Sequence, residues 1–555
     1  MKTIKFWALS LCMIGLFGCD DDLDLLPLDR PSDENFFSTA KELDLAINGV
    51  YNDLYYSPFQ GVTLQFHLEN LTDIGWDRDG SDFQATGRGG HAADTPLFNG
   101  VWSNFYQAIA RCNLLLTNMD RAIEDTPEDQ FNRIRSEARF FRAFYYHHLV
   151  MLYGDVPLLT EPQDLNSPLP ARTPRAEIIS FIINELTEAA PALPVNATGA
   201  DTGRITQATA LTLKARMALY DSNWQLASDT AQEVMNLGSH SLHPNFGELF
   251  TYAGESSPET LLAIRYDQAT TTHLMAAWIY TRLGQGFVNK IPVQALVDSF
   301  ECTDGLQIDQ SPLYDPANPF ENRDPRLDFT VVRSGVEHRG FIFESHPDSV
   351  ETFNVMTDPP TRVENTDVTN PFASFSGYAW KKYADEPRET RFASALDFIM
   401  MRYAEVLLIY AEAKIELGQA DASVLDAINQ VRARAYSEEA SYPEVTTTNV
   451  DELRTILRRE RKVELAQEGF RLYDLRRWGL LAQAVPGVLV GRPQGAYSLQ
   501  GIPVFDEDGF PDYSAYQDIL KLVDTKVFNA GRDELWPIPQ QELDLNDRLV
   551  QNPGY

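Results

Sequence analysis

The stretch "DIGWDRDGSDFQATGRGGHAADTP", from Asp73 to Pro96, gathers the residue types that recognise sugars. Trp76 is a large, rigid aromatic flanked by Asp77 and Arg78, with Asp73 three residues earlier. A pyranose ring offers an apolar C–H face to an indole, and hydroxyls to carboxylate or guanidinium groups. The stretch is polar and glycine-rich with no helical or strand period, so it reads as a long loop, functional or disordered. A second cluster, "HLMAAWIYTRLGQGF", brings Trp278, Tyr280 and Phe287, and Trp380 in "YAWKKY" is a third aromatic candidate. Together these are the candidate ligand contacts, and for Trp76, Trp278 and Trp380 the alternative is a core aromatic. Trp102 falls in a helical pattern and is assigned to the core.

Catalytic patterns are missing from the chain. It contains no H-E-x-x-H, no G-x-S-x-G and no phosphate loop of the G-x-x-x-x-G-K type. The nine histidines do not cluster at metal spacing, and His147 and His148, beside Tyr145 and Tyr146, read as packing residues. "DEDG" at Asp506–Gly509 resembles part of a calcium loop without its remaining ligands, and reads as a turn. With 80 Asp and Glu residues, a glycosidase-type acid pair cannot be picked out. No catalytic residue, metal ligand or cofactor is assigned. The formal net charge of −34 argues against nucleic acid and against adhesion to an anionic membrane face.

One cysteine invites a different chemistry. Lys2 and Lys5 precede an apolar run from Phe6 to Phe17, shorter than the roughly 20 residues that span a bilayer. It fits a secretory h-region. Leu16-Phe17-Gly18-Cys19 then looks like a bacterial lipobox, in which the cysteine thiol is acylated before cleavage. Residues 1–18 are therefore expected to be a signal peptide, Cys19 the lipidated first residue, and 19–32 an acidic tether opened by Asp20 to Asp22. Cys112 is in step with Phe105, Ile109 and Leu116 and reads as a buried helix thiol; with Cys302 it makes no disulfide framework.

The elements that must position the candidate contacts are mostly helical. Phe131, Ile134, Ala138, Phe141, Tyr145, Leu149 and Leu152 step at three and four, and Phe140, Phe144 and Met151 add a second stripe. A helix apolar on so wide an arc packs on more than one side. After Pro174, Ile178, Ile182, Leu186 and Ala189 continue the period until Pro191. "TQATALTLKARMALY" and "WQLASDTAQEVMNLG" form a hairpin with small residues on facing sides, stopped at Gly238. "MRYAEVLLIYAEAKIELG" and "QADASVLDAINQVRARA" repeat the pattern. Two short helices over about 34 residues fall in the tetratricopeptide size class.

Residues 240–398 differ: Pro and Gly recur and periodic helix is scarce. "TLLAIRY", "YAWKKY" and "RLDFTVVRSG" read as strands. The expectation is a mainly α protein, with a helical-repeat scaffold over about 98–240 and 399–483. An irregular part with minor β, over about 240–398, carries the ligand site. The stretch 484–534 also reads as irregular.

"RRERKVELAQEGFRLYDLRRWG", from Arg458, mixes both charges at helical spacing. Glu460 and Glu464 share a face, and Arg461 is in reach of Glu464. The expected role is structural: Arg–carboxylate forks locking two helices.

That stretch resembles the C-terminal region of the SusD/RagB family of outer-membrane nutrient-binding lipoproteins. So do "NGVYNDLY" from Asn48, "VWSNFYQAIARCN" from Val101, "YGDVPLL" from Tyr153, "RYAEVLLIYAEAK" from Arg402 and "LWPIPQQELDLNDRLVQNPGY" from Leu535. The resemblance covers nearly the whole chain after Cys19. It implies a SusD-like helical scaffold of tetratricopeptide-like units, displayed on the outer membrane of a Gram-negative bacterium. It implies a partner, a SusC-like TonB-dependent transporter barrel over which the lipoprotein sits as a lid. It also implies binding of glycans or other oligomeric nutrients, no enzymatic activity and no cofactor. The matching motifs lie on the scaffold, so none names a sugar. The competing expectations are a secreted glycan-degrading enzyme and a helical-repeat scaffold that binds only proteins.

Overall fold

A computed structural model describes residues 36–58, 61–78, 80–384, 391–495, 499 and 501–555. The expected signal peptide, Cys19 and the expected tether, residues 1–32, lie outside the described residues. The protein is mainly helical, with small antiparallel sheets.

Ten helices build the scaffold: α1 (Ala40–Asn52), α2 (Pro96–Asn118), α3 (Glu128–Tyr153), α4 (Arg175–Ala189), α5 (Gln207–Tyr220), α6 (Trp224–Leu237), α7 (Tyr403–Glu416), α8 (Ala422–Ala435), α9 (Val450–Glu464) and α10 (Arg471–Arg477). From α2 to α8 each packs on the next in chain order, and α7 also contacts α9. The wide apolar arc of α3 is explained by its neighbours: α1, α2 and α4 all lie against it. Its aromatic stripe is buried, along with His147 and His148. Burial holds His148 down at about 3, so it packs as a neutral ring.

The two expected hairpins are α5–α6 and α7–α8. Ala215, Ala218, Ala227 and Ala231 are fully buried, which lets the helices approach closely. Asn223 caps α6 by accepting the Leu226 N–H at 3.3 Å, and Gly238 ends it at φ +62°. The chain then leaves the repeat for some 160 residues. It returns as α7, which packs directly on α6, the helix it left.

The excursion is held together by short strands. β2 (Thr260–Ile264) pairs with β4 (Phe398–Arg402), and β1 (Gly75–Asp77) pairs with β3 (Lys290–Pro292). β5 (Gly487–Pro493) pairs with β6 (Leu520–Lys526), so the stretch expected to be irregular after 484 contains a two-stranded sheet. Two other expectations change. "RLDFTVVRSG" is a helical turn, Arg326–Thr330, before only two strand residues, because the Asp324 carboxylate accepts the Arg326 N–H at 2.9 Å and turns the chain. In "YAWKKY" only Ala379 and Trp380 are strand.

A buried ionic seam joins the excursion to the scaffold. Arg402, at the end of β4, bonds Glu259 at 2.8 Å, Glu464 at 2.6 Å and Glu468 at 2.7 Å. Arg434 on α8 bonds Glu259 at 2.6 Å and also grips Glu464. Arg326 reaches both Glu460 and Glu464, at 2.6 and 2.8 Å, so the shared face of those two glutamates is used by one guanidinium. Burial pushes the Glu464 carboxyl up, but Arg434, Arg402 and Arg326 overcome it and hold it well below the usual carboxylate range. Arg461 does not serve Glu464. It forks onto Asp474 at 2.9 and 3.0 Å and so locks α9 to α10. A buried guanidinium takes the partner that offers a bidentate approach rather than the neighbour on its own helix. Cys112 and Cys302 are both free and buried, and burial pushes the Cys112 thiol up to about 12.

Candidate functional site

The expected contacts separate into buried and surface residues. Asp73 is buried; Arg471 forks onto it at 2.8 Å and Lys462 stands at 3.2 Å. Burial raises its carboxyl, yet these two cations hold it well below its ordinary value. Asp77 is buried, bonded by Lys290 at 3.1 Å and by the Ser81 hydroxyl at 2.9 Å. Tyr280 and Trp380 are 0% and 1% exposed, and the Arg339 guanidinium covers the Tyr280 ring at 3.9 Å. All four are buried away from solvent.

Trp76 is the main correction. The expected loop contains β1 and a short helix, Asp82–Gly87, capped by Ser81. Pairing in β1 sets Trp76 opposite Ile291 and turns its ring into a small core with Val288, Val293 and Val332. The indole N–H donates to Asp524 at 2.6 Å, the ring stacks on Phe375 at 5.4 Å, and 2% of the residue is exposed. A sugar cannot stack on a face already covered. Trp76→Ala is therefore expected to cost about 3 kcal/mol of stability through lost burial and a cavity. A denaturation midpoint equal to the parent's would contradict this placement.

Arg78, Trp278 and Phe287 are half-buried, and the structure brings them together. The Arg78 guanidinium donates to the Phe372 carbonyl at 2.6 Å and the Phe287 carbonyl at 3.0 Å. It stands 5.3 Å from the Phe372 ring and 5.4 Å from the Phe375 ring. Arg282 also donates to the Phe372 carbonyl, at 2.9 Å, and lies between the Phe372 and Phe287 rings. Phe287 packs on Trp278 at 5.0 Å and on Phe392 at 6.0 Å. Arg391 stands over Phe287 and Phe392, at 5.0 and 4.5 Å. Aromatic rings and guanidiniums thus alternate along one ridge. Phe372 is 57% exposed and Phe392 47%, so the ridge presents apolar faces to solvent, with planar cations at their edges.

Phe372 and Phe392 are the residues that sequence reasoning missed. Phe372 lies in "NPFASFSG", a turn-rich stretch where an aromatic has no period to bury it; that was the available signal. Phe392 follows Arg391 with no comparable mark. The polar cleft of about 430 Å³ near Arg265 is a poorer platform. It is lined by Thr198, Arg204, His240, Glu255 and Asp397, without a Phe, Tyr or Trp face. Burial, with Glu255 nearby, raises the Asp397 carboxyl there to about 6. Among the described residues no group of three or more acidic, His or Cys side chains could hold a metal ion, and no helix is long and apolar enough to cross a membrane.

Residues 257–555 match the family model described as the SusD family. The chain belongs to the SusD family. Residues 23–219 of this SusD-family chain match a second model, described as starch-binding and associating with the outer membrane. It is 28% identical over 574 residues to the SusD-like protein P2 of Formosa agariphila, covering 100% of both chains. A SusD-like carbohydrate-binding protein of Bacteroides fragilis has a similar crystal structure: TM-score 0.80 and 27% identity, over 93% of this chain and 100% of that one. A laminarin-binding SusD-like protein shares the fold at TM-score 0.66 and 22% identity, over 93% of this chain and 100% of that one.

Proposed function

We propose that this chain binds a glycan at the cell surface and passes it to a SusC-like TonB-dependent transporter in the outer membrane, to which it is tethered through lipidated Cys19. The observation that carries the binding reading is the exposed ridge of Phe372 and Phe392 with Arg78, Arg282 and Arg391 at the ring edges. Solvent-facing aromatics, with Phe372 fixed through its clamped carbonyl, suit a ligand with apolar faces and a polar rim. Family membership and the carbohydrate-binding relative from Bacteroides fragilis support the same reading. The lipobox at Leu16–Cys19 supports the tether, and the transporter partnership rests on family membership.

The test uses the soluble domain and a polysaccharide panel. Retention on at least one polymer, with no new reducing ends, is the expected result; release of products would mark an enzyme instead. In cells, the tagged lipoprotein should recover a large barrel from gently solubilised outer membranes. Cys19→Ala should abolish acyl labelling and free the protein from the membrane. Capture of protein partners with no glycan retention would replace this reading with a protein-binding scaffold.

A further inference from the structure

Arg391 is placed differently from the other guanidiniums of the ridge. Arg78 and Arg282 clamp the Phe372 carbonyl, which holds the Phe372 ring in place. Among the described residues Arg391 makes one hydrogen bond, to the Gln285 carbonyl at 3.2 Å, and no ion pair. It lies over two rings, Phe287 and Phe392, and it is half-buried. Those rings remove water from its faces, while four of its five N–H donors remain available at the planar edge. A planar donor edge with little hydration left is the form in which arginine takes carboxylate or sulfate oxygens in pairs.

The charge of the molecule as a whole opposes such a ligand. A net charge of −34 repels a polyanion at long range. Binding an acidic polymer therefore requires fixed cations at the point of contact, whereas a neutral glycan requires only the rings and hydrogen bonds.

We infer that the ligand is an acidic glycan, with an anionic substituent on Arg391 and sugar faces on Phe372 and Phe392. This rests on the glycan-binding reading and narrows it to a substrate class.

Polygalacturonate and alginate supply carboxylates, carrageenan supplies sulfate, and laminarin is the neutral control. Affinity electrophoresis and calorimetry of the soluble domain on these four should show binding to at least one acidic polymer. That binding should fall at least tenfold when the polymer is carboxyl-reduced or desulfated, and should weaken as NaCl rises. Arg391→Gln should lose about tenfold on the same polymer while its melting temperature stays within a degree or two of the parent's. Whichever acidic polymer binds distinguishes carboxylate from sulfate. Equal affinity of parent and Arg391→Gln, or binding to laminarin alone, overturns the inference. If Phe372→Ala still weakens binding in that case, the glycan reading stands without it. Retention on none of the four overturns the inference, and the glycan reading falls with it when the wider polysaccharide panel is not retained either.

Discussion

Arg402→Ala is expected to destabilise the protein by about 3–5 kcal/mol, the cost of breaking a buried ion pair from one side. Arg402 is fully buried, and its removal takes one cation from Glu259, Glu464 and Glu468, leaving these buried carboxylates to Arg434, Arg326 and Lys382. The loss is not only local. β4 brings Arg402 from the excursion, while Glu464 belongs to α9 of the scaffold, so the substitution opens the seam between them. Chemical denaturation of the soluble domain reads the effect. If Arg402→Ala yields no folded protein, Glu468→Gln provides a milder case, since it keeps the shape and removes one charge. A midpoint for either variant equal to the parent's would mean the seam does not hold the two parts together. The same network has an acid limit. Glu464 titrates lower in the folded state than in the unfolded one, so its contribution is present above the ordinary carboxylate range. It is lost as pH falls through the folded-state value.

The second large effect is on binding. Phe372→Ala and Phe392→Ala should each cost about 2 kcal/mol, the scale of an interface aromatic, or roughly 30-fold in affinity for a glycan the parent retains. Together they should approach a thousandfold if the two sites act independently. Melting temperature should barely move, because both rings are about half exposed and removing them leaves no internal cavity. Calorimetry beside a thermal scan separates the outcomes. Undiminished affinity in the double variant would move the ligand off the ridge, and a large thermal loss would reassign the rings to packing.

The contrast between Trp76 and Phe372 shows how far a reading of residue types could reach. Both occur in polar stretches rich in turn formers, and Trp76 had the better chemical neighbours. What separates them is strand pairing with Lys290–Pro292, more than 200 residues away, which turned Trp76 inward. A three-residue strand carries no detectable period, so nothing near Trp76 announced it. Arg78, Trp278 and Phe287 stay partly exposed, but they were picked from three unrelated cues. Their convergence depends on the Arg78 clamp on the Phe372 and Phe287 carbonyls.

Longer motifs pointed to the family by resemblance, and local periodicity determined the helical character, the hairpins at Gln207–Leu237 and Tyr403–Ala435 and the burial of Cys112. These properties are written into residues three and four apart, because a helix buries one face by local geometry alone. The tertiary structure decided which carboxylate each arginine serves and which aromatics remain in solvent. It also decided that α6 should meet α7 across the excursion. Those outcomes depend on contacts between segments distant in sequence, where desolvation makes a buried charge take its best-shaped partner and a covered ring unavailable to any ligand.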